Sequence, residues 1–286
     1  MLESSNSQVN PIDIRKIHLL RYVSLILSLC CASAVAQESL RLVSLAPDIT
    51  RNLIAIGAES QIVGIIEHKQ LQLELPHAQV VGDYQLLNIE AIVALRPDHV
   101  LVWQGGNPEA QLQRLESLGL DVVRIKSARL ADLPNQWQLF GELLNREDQA
   151  NRLIKQFNGA LDAHRVVAER PVRTFYQLWH QPLMSINNSG YQAEILQLCG
   201  AKNVLAEAYE AFPQVGIEAV LAADVELILA SDELPQDWRD KWSVWPQIPA
   251  VKRDQLYTVE ADYLHQLTLD TLKGVSQVCS AVERAR

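Results

Sequence analysis

The sequence predicts an α/β protein of two similar lobes with mostly parallel sheets, joined by one long helix. The first observation is an internal repeat: residues 89–102 and 217–230 align without a gap, and each is typical of a short amphipathic helix that leads into a buried strand. The second is the alternation of strand and helix patterns in both halves, which indicates βα units. Because ligand sites favour clefts between domains, this organisation points first to binding.

The first lobe is expected to span residues 37–145. Its first helix follows a strand that ends near Pro47, with Asp48 as the expected N-cap. Gly57 ends that helix, and the same glycine stop recurs at Gly200 in the second half. Short apolar runs predict the strands of this lobe at residues 40–45, 62–66, 99–103 and 121–125.

The linking helix is predicted within residues 146–170. Apolar side chains keep helical spacing across residues 147–168 with no interior proline, and Pro171 ends the pattern. The alternative is that this segment is one more packing helix. The second lobe, residues 171–286, repeats the alternation, with strands at 173–179 and 255–259 and helices at 191–199 and 267–282 beside the repeat itself.

Residues 1–36 have the order of a secretory signal peptide. Basic residues come first, an apolar run follows at residues 22–29, and Ala34-Val35-Ala36 then offers a cleavage site. The apolar run is too short for a stable membrane anchor, although a membrane helix and a lipoprotein signal are the alternatives. The sequence therefore predicts export.

Charge and motif content exclude several classes of function. Removing residues 1–36 takes away three basic and two acidic side chains, so the net charge moves from −9 to −10. Such an acidic chain lacks the basic face that binds nucleic acid. The sequence also lacks a phosphate-binding glycine loop, a G-x-S-x-G elbow and a His-Glu-x-x-His helix. We expect no enzyme activity, with a secreted enzyme of scattered site residues as the alternative.

Two cysteines, Cys199 and Cys279, follow the predicted cleavage site. A lone pair of cysteines in an oxidising compartment usually forms a disulfide, which closes a long loop here and contributes roughly 4 kcal/mol in the chain-entropy model. Two buried free thiols are the alternative. Zinc binding by this pair is disfavoured because neither cysteine has a second one nearby.

Large aromatic side chains lie at or just beyond the predicted strand ends. In α/β folds, ligands bind outside the carboxyl ends of the strands, and flat apolar rings there suit a bulky, partly hydrophobic ligand. Core packing is the alternative for each ring taken singly. The candidate ligand-binding rings are Tyr84, Trp103, Trp179, Phe212 and Tyr263.

Three histidines, His68, His180 and His265, follow predicted strands and raise a metal-site hypothesis. The usual cluster spacing is missing, so we expect no bare metal site, but one imidazole could contact a metal inside a larger ligand. The run Gly105-Gly106-Asn107 could cradle an anion, although a tight turn is the simpler interpretation.

The chain resembles the cobalamin (vitamin B12)-binding proteins of ABC importers, within the class of iron-siderophore, haem and cobalamin binding proteins. The resemblance covers nearly all of residues 40–283 and includes the placement of Cys199 and Cys279. The motifs that carry it are Val-Ser-Leu-Ala-Pro at 43–47, Asn-Ile-Glu with Ile-Val-Ala-Leu-Arg-Pro-Asp at 88–98, Val-Trp-Gln-Gly-Gly-Asn at 102–107 and Phe-Pro-Gln-Val at 212–215.

This resemblance implies a periplasmic, non-enzymatic protein that is a monomer when free, needs no cofactor of its own, and carries cobalamin or a related corrinoid to a permease dimer with its ATPase. It implies ligand contacts at Tyr84, Trp103, Phe212, Asp262 and Tyr263, whereas the loop around Trp179 differs from the family pattern and Trp179 stays a candidate from its place at a strand end. It also implies that Glu90 and Glu218 contact arginines of the two permease subunits. A haem or ferric-siderophore carrier of the same class is the alternative.

Overall fold

The computed structural model describes residues 40–286, so the signal-peptide prediction for residues 1–36 lies outside the described residues. Residues 40–286 form one compact unit built on two parallel sheets. This arrangement confirms the predicted fold class of two similar α/β lobes joined by one long helix. Within the described residues, no helix is both long enough and apolar enough to cross a membrane.

The first lobe contains a five-stranded parallel sheet in the order β3-β2-β1-β4-β5. Its strands are β1 (Leu42–Ser44), β2 (Ile62–Ile65), β3 (Gln79–Val80), β4 (His99–Trp103) and β5 (Val122–Ile125). Its helices are α1 (Pro47–Ala55), α2 (Lys69–Glu74), α3 (Ile89–Ala94), α4 (Glu109–Ser117) and α5 (Asp132–Leu144), with a 3-10 turn at Glu59–Gln61.

The linking helix, α6 (Glu147–His164), is shorter than the pattern over residues 147–168 predicts. It ends at His164 because the chain then pairs with the second lobe, where the Val166 N–H donates to the Leu198 carbonyl at 2.8 Å. At its start, Asn145 has a left-handed backbone (φ 54°) and ends α5. Local pattern therefore located this helix, and a tertiary hydrogen bond set where it stops.

The second lobe contains a four-stranded parallel sheet in the order β11-β10-β6-β9, with a small antiparallel hairpin, β7-β8, beyond β6. Its strands are β6 (Val172–Gln177), β7 (Trp179–His180), β8 (Leu183–Met184), β9 (Ala201–Asn203), β10 (Leu227–Ser231) and β11 (Leu256–Val259). Its helices are α7 (Tyr191–Leu198), α8 (Ile217–Ala222), α9 (Trp238–Ser243), α10 (Pro249–Lys252), α11 (Ala261–Leu264) and α12 (Thr271–Ala285).

The internal repeat predicted from the sequence is present in the backbone geometry. In each lobe a six-residue helix, α3 or α8, is followed by a left-handed residue, Arg96 at φ 46° and Asp224 at φ 52°. Two positions later an acidic side chain accepts a hydrogen bond from the backbone N–H at the start of a neighbouring strand region: Arg41 N to Asp98 Oδ2 at 2.7 Å, and Arg173 N to Glu226 Oε2 at 3.1 Å.

The largest apolar core is shared by the two lobes. It joins side chains of the first sheet and of helices α1, α5 and α6 to side chains of β6, α7 and α12 in the second lobe. Trp137 of α5 packs edge-on against Phe157 of α6, with ring centroids 5.7 Å apart. Because α6 buries its apolar face in this shared core, it holds both lobes rather than bridging open solvent.

Cys199, at the end of α7, and Cys279, within α12, form a disulfide, which confirms that prediction. The bond closes a loop with a sequence separation of 80 residues. We expect the double variant Cys199→Ser/Cys279→Ser to lose about 2–4 kcal/mol of unfolding free energy in urea, because the unfolded chain regains the freedom that the cross-link removes. Reducing agent should destabilise the native protein to the same extent and leave the variant unchanged. Equal urea midpoints for the oxidised protein and the variant would contradict the prediction.

Candidate functional site

The two lobes contact one another through the loops that follow their strands. We call the space between the carboxyl ends of the two sheets the cleft, because these contacts close its floor. Beside the apolar core that the lobes share, three hydrogen bonds join α1 and the segment after β5 to the second lobe: Asn52 Nδ2 to Leu267 O at 2.9 Å, Tyr191 N to Ala128 O at 2.8 Å, and Leu130 N to Glu194 Oε2 at 2.7 Å.

Asp48 lies near this floor, directly after β1, and it is not the N-cap that the sequence analysis predicted. Ala46 occupies that position, because Pro47 with its fixed φ begins the helix. The Asp48 carboxylate instead accepts a hydrogen bond from Ser127 Oγ at 2.9 Å. Burial raises the pKa of Asp48, and the hydrogen bond from Ser127 opposes part of that rise.

Four of the predicted ligand-binding rings are exposed to solvent, although aromatic side chains of this size usually lie in the core. The exposed fractions are 66% for Tyr84, 44% for Trp103, 42% for Trp179 and 52% for Phe212. Two of these rings belong to the first lobe and two to the second. Core packing, the alternative for each ring, therefore does not describe these four.

Trp103 is the last residue of β4, and the turn behind it holds its ring in place. A Cβ atom added at Gly106 would lie only 1.7 Å from the Trp103 ring, so only glycine allows this close approach. The Asn107 side chain accepts a hydrogen bond from Trp103 N at 2.7 Å and donates one to Leu45 O at 2.9 Å. The sequence predicted the turn but not these hydrogen bonds of Asn107. The signal for them in the sequence was an aromatic residue followed, one residue later, by Gly-Gly-Asn.

Tyr84 is presented by a tight turn after β3. The Asp83 carboxylate accepts hydrogen bonds from Gln85 N at 2.7 Å and Leu86 N at 2.8 Å, which fixes the turn around the tyrosine. The side chain of Gln111 closes the turn from α4 by accepting from Leu87 N at 2.6 Å.

In the second lobe, Trp179 and Phe212 lie on neighbouring segments. Trp179 belongs to the β7-β8 hairpin, and the segment around Phe212 runs alongside β8. Two hydrogen bonds join them, Ser185 N to Pro213 O at 3.1 Å and Val215 N to Leu183 O at 2.9 Å. The backbone therefore fixes both aromatic residues in one small extension of the second sheet.

Asp262 and Tyr263 lie in α11, after β11. The exposed Asp262 carboxylate accepts from Gln266 Nε2 at 3.0 Å. Tyr263 differs from the four exposed rings, because Lys273 Nζ of α12 lies 5.1 Å from its ring centre. A hydrogen bond with Glu260 is the main cause that raises the pKa of Tyr263. This ring therefore has structural partners of its own.

The three histidines have separate partners. His265 Nε2 lies 3.0 Å from the Tyr176 hydroxyl, and its Nδ1 lies 3.4 Å from Glu233. His68 Nδ1 accepts from Leu71 N at 3.4 Å and caps α2, while His180 packs beside the ring of Trp179. Among residues 40–286, no group of three or more His, Cys, Asp or Glu side chains could hold a metal ion.

The pKa of His68 depends in part on a residue of the opposite lobe. Burial lowers the pKa of His68 and Arg51 lowers it further, whereas the carboxylate of Asp262 has the opposite effect. Since His68 follows β2 and Asp262 follows β11, this electrostatic influence acts from the second lobe on the first.

Glu90 and Glu218 occupy the second position of α3 and α8, and both are exposed. Neither takes part in an ion pair within the described part of the chain. Their positions are equivalent in the repeat, and an acidic residue in the first turn of a helix also interacts favourably with the helix dipole.

Residues 42–263 match the sequence model of a family described as periplasmic binding proteins. The chain belongs to this family. The periplasmic location implied by the sequence resemblance is thereby confirmed, and the exposed rings lie in a protein whose relatives are binding proteins.

Relatives of this periplasmic binding protein include the vitamin B12-binding protein of Vibrio cholerae, 28% identical over 249 residues, which are 86% of this chain and 90% of that protein. The vitamin B12-binding protein of Pectobacterium atrosepticum is 28% identical over 262 residues, 88% of this chain and 91% of the relative. The crystal structure of the periplasmic vitamin B12 binding protein BtuF of Vibrio cholerae matches with a TM-score of 0.77, covering 86% of this chain and 97% of the other.

A periplasmic heme-binding protein from Roseiflexus has the same fold, with a TM-score of 0.75 and 19% identity over 86% of this chain and 99% of that one. The fold is therefore shared by proteins named for different ligands. The ligand preference of each member must therefore come from the side chains in its cleft.

Proposed function

We propose that this protein captures cobalamin or a related corrinoid in the cleft and delivers it to an ABC importer made of a permease dimer and its ATPase. The observation that carries the proposal is the set of four exposed rings, two on each lobe, held on ordered turns and strands. Large flat rings on opposing walls suit a bulky ligand with apolar faces and a polar edge.

The vitamin B12-binding relatives support the corrinoid rather than haem. In a haem carrier Tyr84 or one of the loop histidines would contact the iron, and of these His265 already has a partner at each ring nitrogen. At His68, the nitrogen that caps α2 accepts a hydrogen bond, so the neutral ring carries its proton on the other nitrogen, Nε2. That tautomer presents a donor to the ligand instead of a lone pair to a metal.

The same proposal holds that the protein catalyses no reaction, needs no resident cofactor and carries the corrinoid as cargo. Glu90 and Glu218 are the proposed permease contacts, because two exposed carboxylates at equivalent points of the two lobes match a two-fold permease dimer. The free protein is proposed to be a monomer.

We expect cobalamin or cobinamide to bind with one-to-one stoichiometry in a calorimetric titration. Ligand at about a hundredfold over its Kd should stabilise the fold by about 2.7 kcal/mol, which raises the melting temperature. Haemin and zinc chloride are the comparison ligands. A melting temperature that does not change in millimolar cobalamin contradicts the corrinoid proposal, and tight haemin binding alone would favour the haem carrier.

A further inference from the structure

A shallow surface pocket of about 690 Å³ lies on the second lobe. Its lining residues are Tyr209, Glu210, Pro213, Gln214, Val215 and Gly216. The side chain of Tyr209 is fully exposed, so its ring contributes nothing to the core. The proposed ligand-binding set does not use Tyr209 or Glu210.

Hydrogen bonds hold the walls of this pocket before any partner arrives. On one side of Tyr209, Asn187 Nδ2 donates to Ala208 O at 3.0 Å, and on the other, Asn187 N donates to Ala211 O at 3.0 Å. The segment beyond is held by the two bonds to the β8 strand region described above. Because the backbone is already ordered, little conformational entropy is lost when a partner side chain enters.

Glu218 borders the same pocket. Gly216, one of its walls, is also the N-cap of α8, and the Glu218 carboxylate lies 2.6 Å from the point where a Cβ at Gly216 would be. The equivalent position in the first lobe is Asn88, whose side chain caps α3 by accepting from Ala91 N at 2.9 Å. Glycine at position 216 therefore makes room for the Glu218 carboxylate itself, where the first lobe has the asparagine side chain.

The pocket combines an exposed aromatic ring with the carboxylate of Glu210, and the carboxylate of Glu218 lies at its edge beside Gly216. This is the environment that a guanidinium group prefers, because its plane stacks on a ring while its N–H groups donate to carboxylate oxygens. A strongly hydrated lysine ammonium would use the ring less well.

We propose that this pocket receives an arginine side chain of the importer's membrane subunit, so that Tyr209 and Glu210 act together with Glu218 in docking. The inference rests on the proposed function. It adds Tyr209 and Glu210 as docking residues and a difference between the docking surfaces of the two lobes. The second lobe docks through a pocket, whereas the first lobe presents Glu90 on a helix whose N-cap is filled.

The test measures binding of corrinoid-loaded protein to its cognate importer, purified in detergent, together with ATPase stimulation. Tyr209→Ala and Glu210→Gln should each weaken docking roughly fivefold to thirtyfold, while Tyr209→Phe, which keeps the ring, should lose much less. Val244→Ala, at an exposed apolar residue elsewhere on the lobe, is the matched control.

Gly216→Asn separates docking from folding. The asparagine reproduces the first lobe's cap and should leave the melting temperature unchanged or higher, yet its Cβ would lie 2.6 Å from the Glu218 carboxylate, so that carboxylate must move and docking should weaken as much as for Tyr209→Ala. Corrinoid affinity should be unchanged in all of these variants.

Normal docking by both Tyr209→Ala and Gly216→Asn, when Glu218→Arg abolishes it, overturns the pocket and leaves the proposed function in place. Normal docking by Glu218→Arg overturns the pocket and the assignment of Glu218 as a permease contact, whereas corrinoid capture is tested separately by the calorimetric titration. Weaker corrinoid binding by Tyr209→Ala with normal docking would assign the ring to the cleft and also overturn the inference.

Discussion

Replacing Trp103 with alanine is expected to weaken corrinoid binding by about 1–3 kcal/mol, which corresponds to a Kd raised roughly 5- to 150-fold. The ring is large, exposed and held at the end of β4, so its loss removes contact area without opening the core. Calorimetric titration should show the lower affinity. The melting temperature of the ligand-free variant should stay close to that of the native protein.

Gly106→Ala gives an independent test of the same ring. The added Cβ would overlap the Trp103 ring, which must then leave its position, so this substitution should also weaken binding although Trp103 itself is present. Gly159→Ala in α6 is the control, because open space surrounds that glycine and alanine favours a helix. If both Trp103→Ala and Gly106→Ala bind the corrinoid as tightly as the native protein, the ring is not part of the ligand site.

Reversing both charges with Glu90→Arg and Glu218→Arg is expected to abolish transport while ligand binding and stability stay normal. Both carboxylates are exposed and unpaired within residues 40–286, so solvent screens them and their loss costs the fold little. At the permease, two new like charges should weaken docking more than tenfold. Corrinoid uptake and stimulation of the transporter's ATPase are the measurements.

A control with the same change in net charge is Glu142→Arg with Glu169→Arg, at exposed positions outside the repeat. This control should transport normally. Normal uptake by the Glu90 and Glu218 variant would make these residues simple first-turn acids of their helices, and lost corrinoid binding would instead assign them to the cleft.

The sequence by itself determined the fold class, the repeat and the disulfide. These features depend on residues that are close along the chain or on simple pairing: Gly57 and Gly200 both adopt the left-handed backbone, at φ 81° and 79°, that ends a helix. Within residues 40–286 Cys199 and Cys279 are the two cysteines, and they bond to each other. Helical and strand periods are local, so they could be read without knowledge of distant contacts.

Only the tertiary structure decided how the candidate side chains are presented. His265 is engaged by Tyr176, which lies 89 residues away in the sequence, and Tyr263 by Lys273 on the next helix. Asp48 bonds to Ser127 instead of capping its own helix. The floor of the cleft depends on the bond from Asn52 to Leu267, across 215 residues. Side-chain direction at such points is set by contacts between distant segments, and no local propensity specifies it.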